Sequence, residues 1–557
     1  MKQPFSVWLD DFFTSYYRHR PVNATFIGMH DHDHMLPDYS PQGGDAAMSE
    51  MASLLRRLDD GSIEPPQTPD GQTDRTLAAN FLKIQQWEYE SRHFRYGNPS
   101  VYAGEAVFSI IALFLHPFAP AAERAESAIA RMEAMPMLLT QAEANVQTAP
   151  PAWTARAIRE AEGAIRFFGN GVDLLMATEG ITTPRFRAAA DRARAAVAQH
   201  QDHLRTRIAE GPQDRYGCGE EAFEMYIRDG HLLDSNGIEI ERYARAQFAD
   251  ARGALDAGAR QFGVRAWRDA LAMLADVHPT IEEYYGRYQE VWDACRATAE
   301  AHDLITWPDF PIRYVPRPVW ARECAPYLYF LHYYTPAPYD RMPVHDYLVT
   351  PIEPMMAADE QVRLLRATND CVIKLNHVIH HGSIGHHVQN AHVPNAPSRI
   401  GRISGVDCAA RIAMFCAGTL VEGWASYVVD LLDEVGFLTP LEHYSQHYAR
   451  LRASARAIVD VNLHYGRFSL GDAIAFYRDE AGMTDDAARS EAVKNSMFPG
   501  AAMMYLIGQD LIRDLRREIA AREGANFSLR RFHDGVLSYG AIPASLIAAR
   551  MRGVRSV

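Results

Sequence analysis

Residues 122–146 read AERAESAIARMEAMPMLLTQAEANV. Ala, Ile, Met and Leu recur there three and four positions apart, the period that lays one apolar stripe along a helix. Pro136 falls inside the run. Its ring removes a backbone N–H and crowds the preceding turn, which predicts a kink or a break between two helices. The same period extends outward in both directions. It predicts helices over 74–95, 152–176, 186–210, 238–261, 280–302, 409–434, 441–464, 469–481 and 501–521. The helix at 280 opens with Thr280-Ile-Glu-Glu283 after Pro279, a reciprocal capping box. Residues 61–74 read as an exposed loop.

One stretch departs from the helical pattern. Residues 304–354 hold ten of the 31 prolines, with runs such as Ile312-Arg-Tyr-Val315 and Tyr347-Leu-Val-Thr350. Proline cannot donate to a strand ladder, so this stretch reads as extended segments with a small sheet. The expected fold class is mainly α, with a small β element, around a deep cleft. The organisation reads as an N-terminal helical half (1–303), a Pro-rich extended segment (304–360) and a C-terminal helical half (361–557).

Composition narrows the function classes. The 557 residues carry 56 Lys+Arg against 70 Asp+Glu, a formal net charge of −14. Such a chain lacks the cationic surface that nucleic acid and anionic lipid require, so neither is an expected partner. The most apolar run, residues 106–115, is about half a membrane span. Six cysteines without a CxxC pair fit a reducing compartment. The N-terminal MKQPFSVWLDDFF meets acidic residues before any signal-peptide core forms, and a cytoplasmic location is expected. A small-molecule substrate is the expected partner.

The 23 histidines are distributed unevenly, six of them within residues 376–392. The segment is His377-Val-Ile-His380-His381-Gly-Ser-Ile-Gly385-His386-His387-Val-Gln389. Neutral imidazole is a common ligand of zinc and other divalent ions. His377 and His381, four apart, share a helix face, as do His380 and His387, seven apart. His380 and His386 are six apart and converge only if residues 382–385 distort the helix. Downstream, Leu420-Val-Glu422-Gly-Trp424-Ala-Ser-Tyr427 sets a carboxylate among apolar neighbours, where it needs a cation or donors. Two readings stay open at this point: a metal site, or a histidine-rich helix end without one.

Taken in order, these segments resemble the DUF885 family, bacterial proteins related to helical zinc metallopeptidases. The family pattern runs H-E-x-x-P-G-H-H-x-Q, E-G-W-A-x-Y, V-D-x-x-x-H, P-G-Q-A-x-S-Y-K-x-G and F-H-D-x-V-L. The first two correspond to the histidine segment and to Glu422-Gly-Trp-Ala-Ser-Tyr427. The others correspond to Val459-Asp460-Val-Asn-Leu-His464, Pro499-Gly-Ala501-Ala-Met-Met504-Tyr505-Leu506-Ile-Gly508 and Phe532-His533-Asp534-Gly-Val-Leu537. Ala24-Thr-Phe-Ile-Gly28, Asn98-Pro99 and Phe118-Ala-Pro120 add N-terminal matches. The resemblance implies a helical metallopeptidase-like fold. It also makes His380, His386 and Glu422 the metal ligands, with Zn2+ the default and Fe2+ or another divalent ion the alternative. Tyr505 matches a position suited to a hydrogen bond on a developing oxyanion. Asp460 and His464 match a helix flanking the site, and His464 joins the catalytic candidates. His533 and Asp534 match the last motif, where capping and packing of the final helix is the expected role.

The departures bear on the chemistry. Where the family has the glutamate that serves as general base in hydrolysis, this chain has His381. Imidazole accepts a proton near neutral pH, its ordinary pKa being about 6.5, but its reach differs. The family's Pro is Ile384, its Gln is Ala501 and its Lys is Leu506. The lysine could hold a substrate carboxylate and the leucine cannot. Three functions follow as alternatives. The first is a metal-dependent enzyme that polarises a carbonyl and moves a proton in a small molecule. It would work as a lyase, cyclase or decarboxylase, with His381 or His387 as acid/base. The second is a zinc hydrolase or peptidase of the family type. The third is a non-catalytic descendant that binds a ligand or partner.

Other features have plainer readings. His30-Asp-His32-Asp-His34 reads as a solvated turn, or as a loop that contacts substrate if it folds over the cleft. Tyr327-Leu-Tyr329-Phe-Leu-His332-Tyr333-Tyr334 reads mostly as core, with some members lining the pocket. Arg399 and Arg402 read as surface ion pairs or as an anion site. No GxSxG, P-loop or dinucleotide fingerprint is present.

Overall fold

The computed structural model describes residues 2–211, 216–328, 330–340, 342–406 and 417–553. Tyr329, Cys408, Cys416 and the start of the helix expected from residue 409 lie outside the described residues. Helices dominate, and two short parallel strand pairs are the only sheets among the described residues.

Ala121–Asn145 is one continuous helix, so Pro136 does not break it. Ala128, Ile129, Met132, Met135, Leu138 and Leu139 bury one side, while Pro136 lies on the exposed face. Each of the five larger side chains gains about 1.5–3 kcal/mol on burial, and together they outweigh the ~3 kcal/mol cost of an interior proline. The capping box at Thr280 forms: Thr280 N donates to Glu283 (3.0 Å) and Glu283 N donates to Thr280 Oγ1 (3.3 Å). It closes a turn, after which the helix runs over Tyr284–Ala301.

In the Pro-rich stretch Ile312–Pro316 pairs in parallel with His345–Val349, Ile312 opposite His345 and Pro316 opposite Val349. Parallel neighbours require a crossover, here residues 317–344. Ile312, Tyr347 and Val349 pack with Tyr284, Tyr288, Ile373 and Val378. The sheet thereby backs the segment that carries the histidines.

A single core runs through all three stretches of the chain. It includes Trp8, Phe81 and Phe167 from the first, Trp320 and Phe330 from the second, and Ile384, Trp424, Ile512 and Val536 from the third. Polar bonds follow the same course. Asp74 accepts from Ser398 Oγ (2.6 Å) and from the Ile400 N–H (3.1 Å), and Trp153 Nε1 donates to Ser496 Oγ (2.8 Å).

Two helices that matter to the site, Gly418–Glu434 and Met504–Glu523, cross at Gly423 and Gly508. A Cβ on Gly423 would overlap the Gly508 backbone, and one on Gly508 would overlap the Thr419 carbonyl. Only glycine permits this approach, which sets the distance between the Glu422 and Tyr505 backbones.

Candidate metal centre

The chain enters the site as an 11-residue π-helix, Val372–Gly382. Such wide turns are rare and gather at functional sites. The helix ends at Ser383 (φ −136°, ψ −119°), Gly385 follows at φ −74°, ψ −122°, and His386–His392 resumes the α-helix. Ser383 Oγ donates to the Val378 carbonyl (2.9 Å) and meets Cys295 Sγ at 3.2 Å. Trp424 Nε1 donates to the Ile384 carbonyl (2.9 Å), tying this turn to the helix that carries Glu422. The distortion at residues 382–385 thus brings the His380 and His386 rings together, 4.8 Å between centroids.

Nε2 of His380 lies 3.3 Å from Glu422 Oε2, and Nε2 of His386 lies 3.6 Å from the same atom. Oε2 is nevertheless buried without a hydrogen-bond partner, as is His386 Nδ1. A buried carboxylate oxygen left unmatched between two ring nitrogens is costly unless a cation completes the set. Burial resists ionisation of Glu422, but the two imidazoles outweigh it and hold its carboxyl well below the usual range. Burial also lowers the His380 pKa against the pull of Glu422, so its nitrogen is neutral. Two imidazole nitrogens with an ionised carboxylate are a donor set for a divalent cation, and these residues fit one.

His381 adjoins this set. One nitrogen each of His380, His381 and His386 lies within 4.8 Å of the others. The Nδ1–H of His381 donates to the Asn376 carbonyl (2.7 Å), which leaves Nε2 as the acceptor. Enclosure and the neighbouring imidazoles hold its pKa well below the ordinary value.

His380, His381, His386 and Glu422 line a cleft of about 740 Å³, together with Tyr333 and Tyr505. Tyr505 is placed by a neighbouring carboxylate. Asp460 Oδ1 accepts from Gly500 N (3.2 Å), and its Oδ2 accepts from Ala502 N and Met503 N (both 2.9 Å). This holds the loop that starts the Tyr505 helix. Arg456, ion-paired to Glu491 at 2.7 Å, lies over the Tyr505 ring, 4.6 Å from its centroid.

His387 and His464 are not brought to the cleft. His387 Nε2 donates to the Phe310 carbonyl (2.7 Å) and its ring stacks on Phe310. His464 is fully buried; Nδ1 accepts from Cys218 N (3.2 Å) and Nε2 donates to the Asn495 carbonyl (3.0 Å). Burial lowers each pKa to about 4. Both rings hold backbone in place, which corrects their reading as acid/base groups of the cleft. His533 bonds Tyr427 (2.8 Å) and the Leu304 carbonyl (2.5 Å), and Asp534 accepts from Thr306 N (2.9 Å), so both pack their own helix, Leu529–Leu537, which is followed by a further one, Ala544–Arg552. Arg399 pairs with Asp10 at 2.7 Å, and Arg402 bonds the Ala396 carbonyl.

The His30 segment is a turn with Asp31 and His34 exposed, but His30 and Asp33 are drawn inward and the segment does not line the cleft. His30 Nδ1 bonds Asp33 and Nε2 bonds Asp340, both at 2.7 Å, and His116 Nε2 bonds Asp340 at 2.5 Å. The His30 ring stacks on Phe118 at 3.7 Å. With a carboxylate at each nitrogen, His30 is an imidazolium. Burial works against its charge, but the bonds to Asp33 and Asp340 raise its pKa to about 9.

Sequence reasoning missed the Gly423–Gly508 crossing and the arginines at 450, 452, 456 and 513 that line the cleft. The arginine spacing on the helix Pro440–His464 was the available signal.

No helix among the described residues is long and apolar enough to cross a membrane. Two solved structures are similar to this chain, each described as a "putative lipoprotein". The one from Shewanella oneidensis, described as of unknown function, has a TM-score of 0.77 at 20% identity, over 98% of this chain and 99% of the other. The one from Colwellia psychrerythraea has a TM-score of 0.77 at 18% identity, over 99% and 98%. At such identities the likeness is one of fold. No curated protein matches the chain. The model of the family described as bacterial protein of unknown function (DUF885) matches residues 21–551, and the chain belongs to that family.

Proposed function

We propose that the chain is a metal-dependent enzyme that polarises a carbonyl and moves a proton in a small molecule. The observation that carries this reading is the unpartnered Glu422 Oε2, faced by His380 Nε2 and His386 Nε2 in the wall of the cleft. A divalent cation in that set, zinc by default, supplies Lewis-acid polarisation of a carbonyl oxygen. His381 takes the proton at Nε2, with its Nδ1–H held by Asn376. Tyr505 points its phenol at charge developing on the substrate oxygen, its ring held under Arg456. With histidine at 381 and leucine at 506, lyase, cyclase or decarboxylase chemistry is favoured over peptide hydrolysis. The thiols of Cys218, Cys295, Cys324 and Cys371 are free, which fits a reducing compartment.

A second reading has its own observation. The 4.8 Å cluster of three ring nitrogens allows His381 to be a third nitrogen ligand, which leaves the proton chemistry to Tyr505.

The test is metal content of wild type, His380→Ala and Glu422→Gln, run beside an untargeted metabolite screen. About one equivalent of metal is expected in the wild type and about a tenth or less in the variants, with turnover only in the loaded protein. A reconstituted wild type that holds no stoichiometric metal overturns the proposal. Metal-dependent turnover of peptides alone returns the chemistry to hydrolysis.

A further inference from the structure

We propose that Arg452 is the anchor for a carboxylate group on the substrate. Four arginines line the cleft. Arg450 is committed to Asp510 (2.8 and 2.7 Å), Arg456 to Glu491 (2.7 and 3.1 Å), and Arg513 to Asp430 and Asp510. Arg452 has no ion pair and no hydrogen bond among the described residues; its close partner is the Tyr448 ring, 5.9 Å away. A guanidinium presents five donors in a planar fork. The side chain is partly exposed on the cleft wall with none of these donors bonded to protein among the described residues, so they are free to meet an anion that enters. Enclosure and the charge of Arg456 one turn away lower its pKa against the pull of Glu491, whose carboxylate is bonded to Arg456.

The chemistry of the anion follows from the same surroundings. One uncommitted positive charge matches a monoanion, and two carboxylate oxygens match the fork. Asp430 and Asp433 line the same cleft and oppose a second negative charge. Arg452 stands four residues before Arg456 on the helix Pro440–His464, so it shares the face that covers Tyr505. A substrate held by its carboxylate at Arg452 then presents its carbonyl towards Tyr505 and the histidines. Leu506 is fully buried and apolar, so position 506 cannot take this role. The anchor deepens the metal-enzyme reading and rests on it only for the orientation of the substrate.

The test is calorimetric titration of the full chain with 4-phenylbutyrate and with its neutral amide. It uses wild type, Arg452→Gln and Arg450→Gln, each both zinc-loaded and EDTA-treated. The expected result is carboxylate binding to EDTA-treated wild type at least tenfold tighter than to Arg452→Gln, with the amide insensitive to the substitution. Arg452→Gln should melt close to the wild-type temperature because it loses no ion pair or hydrogen bond, while Arg450→Gln should melt lower. Equal carboxylate affinity in wild type and Arg452→Gln, or no carboxylate binding to wild type, overturns the anchor. So does a melting loss in Arg452→Gln matching that of Arg450→Gln. Carboxylate binding abolished by EDTA alone puts the carboxylate on the metal, which overturns the anchor and leaves the metal reading standing. Binding through Arg452 in a protein that never takes up metal upholds the anchor and removes the metal reading.

Discussion

Gly385 packs so closely on His380 that a Cβ at position 385 would overlap the His380 carbonyl oxygen. The geometry of the two candidate ligands, His380 and His386, therefore depends on a residue that is not one. Gly385→Ala should fold, because the core around it is large, but lose roughly 10–100-fold in zinc affinity, as disturbed supporting groups do. Competition with a coloured chelator measures this. Unchanged affinity would mean that the turn at residues 382–385 does not set the ligand spacing.

His381 separates the two forms of the metal-enzyme reading. If Nε2 is the base, His381→Ala keeps its metal and loses about 10²–10⁴-fold in turnover. If Nε2 is a ligand, the same variant loses metal as His380→Ala does. His381→Glu puts a carboxylate where the resembled motif carries one and should gain metal-dependent hydrolysis of simple peptides if the scaffold supports that chemistry.

The clasp of Asp340 on His30 and His116 predicts a pH window of stability. The His30 pKa is raised from 6.5 to about 9 on folding, so its contribution is full below 6.5 and lost as pH rises through about 9. The bonds from His116 and His30 outweigh burial and lower the Asp340 pKa from 3.8 to about 2, so that contribution is full above 3.8 and lost towards 2. The difference in melting temperature between wild type and Asp340→Asn should thus be widest between about pH 4 and 6.5 and shrink towards pH 9. A difference that stays constant across that range would break the assignment.

Asp460 accepts three backbone N–H groups, one at Oδ1 and two at Oδ2. Asn at this position must turn its NH₂ towards at least one of those donors. Asp460→Asn should cost about 3 kcal/mol, read from denaturant unfolding. Turnover should fall further than the folded fraction does, because the helix carrying Tyr505 starts from the loop that Asp460 holds. A variant as stable as wild type would show that the loop is held by other contacts.

Helix periodicity and the motif order made much of this architecture readable in advance, but unevenly. The convergence of His380 and His386 was legible only as a condition, that Gly382 and Gly385 distort the helix between them, and Glu422 joined them through the motif order rather than through spacing. The roles of His387 and His464 were not, because their partners are backbone carbonyls 77 and 31 residues away in the chain, invisible to any side-chain motif. Pro136 misled because its cost is local while the burial that offsets it is tertiary. The arginine spacing flagged Arg452 no more than Arg450 and Arg456: what distinguishes it is that, among the described residues, it has no ion pair or hydrogen bond to a carboxylate.

The shared core has a consequence for how the molecule comes into being. His30 waits for Asp340, 310 residues later; Asp74 waits for Ser398, 324 later; Trp153 waits for Ser496, 343 later. A chain leaving the ribosome from its N-terminus exposes helices whose apolar faces and polar groups have no partners for most of its synthesis. Such an intermediate is prone to aggregate, and its assembly belongs after translation rather than alongside it. Because the cleft is built from the late-emerging segments, a stalled or truncated product would display an open core and no site.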